Sequence, residues 1–179
     1  MLLRNFLGFY TMAIRIIKNF LKKKDFKHLE NTMHGFFFPW FINAVVKPGD
    51  GFHQLCHIFF IDHKVNSPFF KNLKPILDIL KPRELLRIKA NLLFKTPKIV
   101  EKGYHVDTEN PPHAAILYLN SNNGYTRFKD GKKIKSEENK LIKFNGSLEH
   151  TGSSCTDHPH RTVINFNYIP ENAGYTREA

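Results

Sequence analysis

The chain has 179 residues, of which 41% are hydrophobic, and a formal charge of +11. That length supports one well-filled core rather than two. Two cysteines, Cys56 and Cys155, provide no disulfide framework and point to a reducing, cytoplasmic compartment rather than to secretion.

Residues 2–24 contain no acid and carry Arg4, Arg15, Lys18, Lys22, Lys23 and Lys24 among apolar residues. These charges interrupt the apolar run too early for a membrane-spanning helix of about 20 residues. A signal peptide is also a poor fit, because no clean apolar block precedes a small-residue cleavage site. Residues 1–30 therefore read as a basic segment, helical or partly disordered. As a helix it would lie on an anionic membrane or pack on the sheet, and packing is the expectation. Residues 31–179 read as a single domain.

Phe36 to Phe41 and the stretch from Gly51 form an aromatic-rich strand and loop region. The spacing of Ile76, Leu77, Ile79 and Leu80 predicts a helix over 69–81 that faces the core and is stopped by Pro82. Alternation of Leu86, Ile88, Ala90, Leu92 and Phe94 marks a strand. Further strands are expected at about 114–120, 124–129, 140–145 and 161–168, with turns at Asn122 to Gly124 and Lys129 to Gly131. This order suits an α+β fold, mostly β. Its core would be an eight-stranded double-stranded β-helix, a cupin-like jelly roll, with flanking N-terminal helices packed on one sheet.

Chemistry concentrates in the triplet His105, Val106, Asp107. On a strand, side chains alternate, so His105 and Asp107 share a face while Val106 points into the opposite layer. A second histidine from a distant strand would complete a two-histidine, one-carboxylate set that binds Fe(II) and leaves one side open. His150 is the candidate, separated from Asp107 by 42 residues. Arg161 follows eleven positions later, and its permanently charged fork suits an acidic co-substrate. On its strand Thr162, Ile164, Phe166 and Tyr168 form an apolar face, whereas Arg161, Val163, Asn165 and Asn167 form the other.

Several segments together resemble the Fe(II)- and 2-oxoglutarate-dependent oxygenases, especially the prolyl-4-hydroxylase-like group and its phage-type relatives. They are RIKAN at 87–91, YHVD at 104–107, ILYLN at 116–120, GYTRF at 124–128, LIKF at 141–144, HTG at 150–152 and RTVINFNY at 161–168. The resemblance is strong over the C-terminal half, looser over 38–82, and does not extend to the first thirty or so residues. It implies iron held by His105, Asp107 and His150. Arg161 would pair with the C5 carboxylate of 2-oxoglutarate, helped by Tyr118, with Asn91 and Asn167 as further contacts. It also implies dioxygen as co-substrate, ascorbate as an accessory reductant, and hydroxylation of a C–H bond with release of succinate and carbon dioxide. One departure is Asn123 and Gly124 where the family often has two glycines, which bears on substrate contacts near Phe128.

Bland readings compete at each position. His53, His57 and His63 read as solvated or core-edge histidines, and the stretch from Asp157 to His160 reads as a loop rather than a metal site. A non-catalytic β-helix binding module and a cupin-like Mn or Zn enzyme, with Glu109 as an extra ligand, remain alternatives. The substrate could be a peptidyl proline, another side chain, a nucleobase or a small metabolite. Lysines gather at 22–27 and 129–143, but no RNA-binding motif interleaves aromatic with basic residues, so a nucleic-acid-directed oxygenase is the minority reading.

Overall fold

The computed structural model describes residues 14–43, 54–107 and 113–171. In chain order its elements are β1 (Arg15–Ile17), helix α1 (Lys23–Met33), β2 (Phe41–Asn43), β3 (Gln54–Ile61) and β4 (Lys64–Val65). A 3-10 turn over Pro68–Leu73 then runs into helix α2 (Lys74–Leu80). The remainder is β5 (Pro82–Phe94), β6 (His113–Tyr118), β7 (Tyr125–Phe128), β8 (Lys133–Lys135), β9 (Lys140–Asn145), β10 (His150–Gly152) and β11 (His160–Pro170).

Alternating apolar residues place these strands in two antiparallel sheets. The larger runs β1-β9-β6-β11-β5-β3-β2 with β4 on β3, and the smaller runs β10-β7-β8. Residues 101–105 border the smaller sheet through two isolated bridges, Glu101 to Ser153 and His105 to His150. Counting that segment, β5-β11-β6-β9 faces 101–105, β10, β7 and β8, which is the double-stranded β-helix. The described strands outnumber the expected eight because β1 to β4 extend the large sheet beyond the β-helix itself.

Two apolar clusters hold the layers. Between the sheets pack Ile116 and Tyr118 from β6, Phe128 from β7, Ile134 from β8, Ile142 and Phe144 from β9, and Val163 from β11. On the outer face of the large sheet, Ile88, Ala90, Ile164, Phe166 and Tyr168 pack against the helical layer. That layer contributes Phe26, Leu29 and Met33 from α1, a spacing that gives one face of a helix, and Ile76 and Leu80 from α2. Each fully buried side chain of this size contributes roughly 1.5–3 kcal/mol.

Three sequence expectations need correction. The basic segment is not helical throughout, because Arg15–Ile17 pairs with β9 in the register Ile16 to Ile142. An otherwise open sheet edge is covered in this way, and Asn19, with φ of +49°, breaks the chain between strand and helix. Helix α1 begins only at Lys23 and spans position 30, while residues 1–13 lie outside the described part. Ile79 does not face the core but is 52% exposed, since the final turn of α2 directs Ile76 and Leu80 inward instead. Lys81, left-handed at φ of +46°, ends that helix before Pro82 opens β5.

At the junction of α1 and β11 three histidines meet. His34 caps α1 with its ring 4.8 Å from that of His160, and His158 lies 5.1 Å from His160 on its other side. Nδ1 of His160 and the Thr162 hydroxyl are 3.0 Å apart. Burial, then the nearby His34 and His158, pushes the His160 pKa down to about 4. The fold therefore selects neutral His160. Its contribution is complete above the ordinary value near 6.5 and is lost as pH falls through about 4. Melting temperature should accordingly drop between these two values, with a shallower slope in His160→Gln; an unchanged slope would exclude His160 as the cause.

Candidate metal centre

The two bridges that close the small sheet also deliver the candidate ligands. The backbone N–H of His105 donates to His150 O at 3.0 Å and that of His150 donates to His105 O at 3.0 Å, fixing two residues distant in sequence opposite each other. Their rings then stand 4.7 Å apart. Nδ1 of His150 lies 2.9 Å from Leu148 O, and Nδ1 of His105 lies 3.3 Å from Gly103 O. Because a carbonyl only accepts, each Nδ1 carries the proton and each Nε2 keeps its lone pair. Burial, followed by the proximity of His150, lowers the pKa of His105 and favours the neutral ring that coordinates metals.

Asp107 approaches from the chain just beyond, its backbone N–H donating to Gly146 O at 3.2 Å. Its side chain is 1% exposed, with Oδ1 3.5 Å from Arg87 Nη2 and Oδ2 3.8 Å from His150 Nε2. One ligand atom from each of His105, Asp107 and His150 falls within 4.8 Å of the others. Among the described residues this is the only such grouping of histidine, cysteine or acidic side chains. Asp107 Oδ2 and His150 Nε2 are buried without a hydrogen-bond partner. An unsatisfied buried polar atom costs about 1–3 kcal/mol, and a cation coordinated by this donor set would remove the penalty. Val106 is 40% exposed and points to solvent rather than into the opposite layer, because 106–107 lie past the last bridge at His105.

The donors open on a cavity of about 250 Å³ between the sheets, with Arg161 also in its wall. Arg161 is 2% exposed, and among the described residues no carboxylate pairs with it. Its Nε donates to Ser136 Oγ at 2.8 Å and its Nη2 to Thr126 Oγ1 at 3.1 Å. Burial lowers its pKa, opposed by Tyr118 and Cys155. A guanidinium held in place by hydroxyls, desolvated and without a counterion, is prepared for an anion. Two glycines let the chain close around it. A Cβ at Gly124 would fall 2.7 Å from Arg161 Cδ and 2.7 Å from Ser154 O, and one at Gly152 would lie 3.3 Å from Arg161 Nη1.

The other expected contacts fare unevenly. Asn91 lines the cavity and accepts from Gln54 Nε2 at 3.2 Å. Tyr118 is fully buried behind the wall, its hydroxyl donating to Thr126 Oγ1 at 2.8 Å and its ring 5.6 Å from Arg161 Cζ. It reaches the cavity only through Thr126 and Arg161. Asn167 is buried but lies outside the lining. It shares a face with Arg161, yet six residues of strand carry it roughly 20 Å along the sheet. His57 is held between Pro39 O and Ser67 Oγ, each at 2.7 Å, as a core-edge histidine would be. Glu109 and His53 lie outside the described residues.

Sequence reading missed Gln54, Arg87, Lys89, Lys102 and Thr126, all in the lining, and Ser136 behind it. A signal existed on β5. Arg87, Lys89 and Asn91 alternate with the apolar set that marked the strand, so they had to face the site.

No family model matches the sequence, and no curated protein matches it. Solved structures do match in shape. A 2OG-Fe(II) oxygenase family oxidoreductase from Burkholderia pseudomallei superposes with a TM-score of 0.68 at 11% identity, over 87% of this chain and 84% of that one. A prolyl hydroxylase from Trichoplax adhaerens, solved with a hypoxia inducible factor peptide fragment, gives 0.64 at 13% identity over 88% and 84%. A non-heme alpha ketoglutarate dependent epimerase from nogalamycin biosynthesis gives 0.62 at 10% identity over 88% and 78%. The double-stranded β-helix around His105, Asp107 and His150 is thus the fold of the 2OG-Fe(II) oxygenases, with prolyl hydroxylases among its structural neighbours.

Proposed function

We propose that the chain is an Fe(II)- and 2-oxoglutarate-dependent dioxygenase that hydroxylates a C–H bond, of a peptidyl proline or another side chain, and releases succinate and carbon dioxide. One observation carries this reading. Two histidine nitrogens and a carboxylate oxygen converge within 4.8 Å in the wall of a cavity that also presents a buried arginine with no carboxylate partner among the described residues. Two histidines and one carboxylate are a donor set that would suit Fe(II) and leave the metal open toward the cavity.

In this reading His105, Asp107 and His150 hold the iron through Nε2, a carboxylate oxygen and Nε2. Iron with bound 2-oxoglutarate supplies the oxidising power for C–H hydroxylation. The remaining work belongs to the protein. Leu148 O and Gly103 O fix the imidazole tautomers, and Arg87 restrains Asp107 Oδ1. Arg161 and Thr126 receive the far carboxylate of 2-oxoglutarate, while Tyr118 orients Thr126 from behind. Phe128 and Phe144, with rings 5.9 and 4.9 Å from that of His150, shield the centre from water.

Anaerobic titration should show about one Fe(II) per chain, as a three-ligand centre requires. Stoichiometric binding should vanish in His150→Ala, and iron retained with full turnover would remove His150 from the site. Arg161→Ala should keep iron but weaken 2-oxoglutarate binding by about 2–5 kcal/mol, with partial recovery in Arg161→Lys because a point charge replaces a fork. Gly124→Ala tests the same contact indirectly. The added methyl would meet Arg161 Cδ, Ser154 O and Asn122 Oδ1 at 2.7–2.8 Å and disturb the seat of Arg161, lowering 2-oxoglutarate affinity roughly tenfold to a hundredfold while iron still binds. Wild-type affinity in both the Arg161→Ala and Gly124→Ala variants would place the co-substrate elsewhere. Succinate release in the presence of ascorbate, with and without candidate peptides, measures the reaction itself.

A further inference from the structure

The cavity holds more positive charge than the proposed reaction uses. Arg87, Lys89, Lys102 and Arg161 all line it, and among the described residues Asp107 is the only acid that does. The two carboxylates of 2-oxoglutarate together with Asp107 would still leave four side-chain cations facing three anions, before the charge of the metal is counted.

These cations occupy separate places. Arg161 pairs in register with Leu93, four residues from Lys89, so the two backbones stand roughly 13 Å apart along the sheet. Arg87 is engaged with Asp107, and Lys102 Nζ donates to Gln54 Oε1 at 2.8 Å. Lys89 differs from both. It is half-buried, directly opposite Asn165, and among the described residues no acid and no hydrogen-bond acceptor receives its ammonium. Its pKa is lowered, first by burial, with Cys56 opposing and Arg87 adding to the effect. Beside it the side-chain oxygen of Asn165, in the same lining, is buried without a partner. Amide oxygen and nitrogen are nearly interchangeable by rotation, so Asn165 can turn its NH₂ toward an anion held by Lys89.

We infer that the substrate carries an anionic group, a carboxylate or phosphate, which Lys89 and Asn165 bind between the metal centre and the β3 side of the cavity. This rests on the oxygenase reading and supplies the substrate class it leaves open. An anion at this point would give the half-buried ammonium a counterion and the buried amide a partner. It also selects against uncharged analogues, because these would leave both groups unpaired.

Matched probes test the inference on the full chain loaded with 2-oxoglutarate and Mn(II), which occupies the centre without turnover. N-acetyl-L-aspartate is compared with N-acetyl-L-asparagine, and O-phosphoserine with serine, so that the two arms separate a carboxylate from a phosphate source. In at least one arm the acidic probe should bind at least about tenfold more tightly than its neutral partner, with affinity falling as salt rises. Lys89→Met should abolish the preference, and Asn165→Leu should reduce it. 2-Oxoglutarate affinity and melting temperature should remain close to wild type in both variants. No preference for either acid in the wild-type protein overturns the inference. So does Lys89→Met losing 2-oxoglutarate affinity to the same extent, since Lys89 would then serve the co-substrate. If the protein takes up neither Mn(II) nor 2-oxoglutarate, the oxygenase reading fails, and the probes are titrated on the unloaded chain. There a Lys89-dependent preference still supports the anion site, and its absence overturns it.

Discussion

The register of β11 between β5 and β6 is the constraint on which the rest depends. Val163 is paired with Asn91 on one side and Tyr118 on the other, and this alignment sends Arg161, Val163 and Asn165 inward. Thr162, Ile164, Phe166 and Tyr168 are sent outward to the helical layer. Side chains on a strand alternate with a period of two, so a slip of one residue would exchange the faces. Arg161 would then enter an apolar layer, and Ile164 and Phe166 would fill the cavity. The outer cluster opposes such a slip, because it would take those side chains out of the helical layer. Stability from packing on one face thus fixes the chemistry on the other.

Asn120 reinforces this alignment where β6 ends. Its Oδ1 accepts from the Thr162 backbone N–H at 3.0 Å and its Nδ2 donates to His160 O at 2.7 Å. One side chain thereby satisfies backbone groups on both sides of Arg161 as the strand begins. Two residues on, Asn122 Nδ2 donates to Asn120 Oδ1 at 3.3 Å, and its Oδ1 accepts from Gly124 N at 3.0 Å to shape the turn that passes over the same arginine. Two short polar side chains therefore set the geometry around one cation.

How much of this was legible in the sequence depends on whether local pattern or distant pairing determines each part. The strands β5, β7, β9 and β11 carry their own alternation, β6 is a short apolar run, and the Lys129 to Gly131 turn is marked by a glycine at φ of +92°. The three side chains that converge at 105, 107 and 150 were readable as residue types at a spacing. Strands β1, β8 and β10 are three residues each, too short for a period to show, and exist because a neighbouring strand completes them. Lys89 and Arg87 were legible as an alternating set but not as a cavity wall. That requires knowing that the small sheet closes over β5. Ile79 shows the opposite failure, an apolar residue at helical spacing that the short helix leaves in solvent.

The two reciprocal backbone bonds between His105 and His150 have a mechanical meaning as well. The segment 101–105 is joined to the small sheet by two isolated bridges and single bonds such as Lys102 N to Gly152 O at 3.1 Å rather than by a continuous ladder, so this flank of the β-helix is a discontinuous seam. A cation gripping His105, Asp107 and His150 would act as a rivet across that seam, joining chain positions far apart in sequence. Metal affinity and closure of the seam are then one coupled equilibrium. The free energy needed to pull the seam apart would include that of releasing the cation, so a metal bound there would also determine how firmly the cavity wall stays shut.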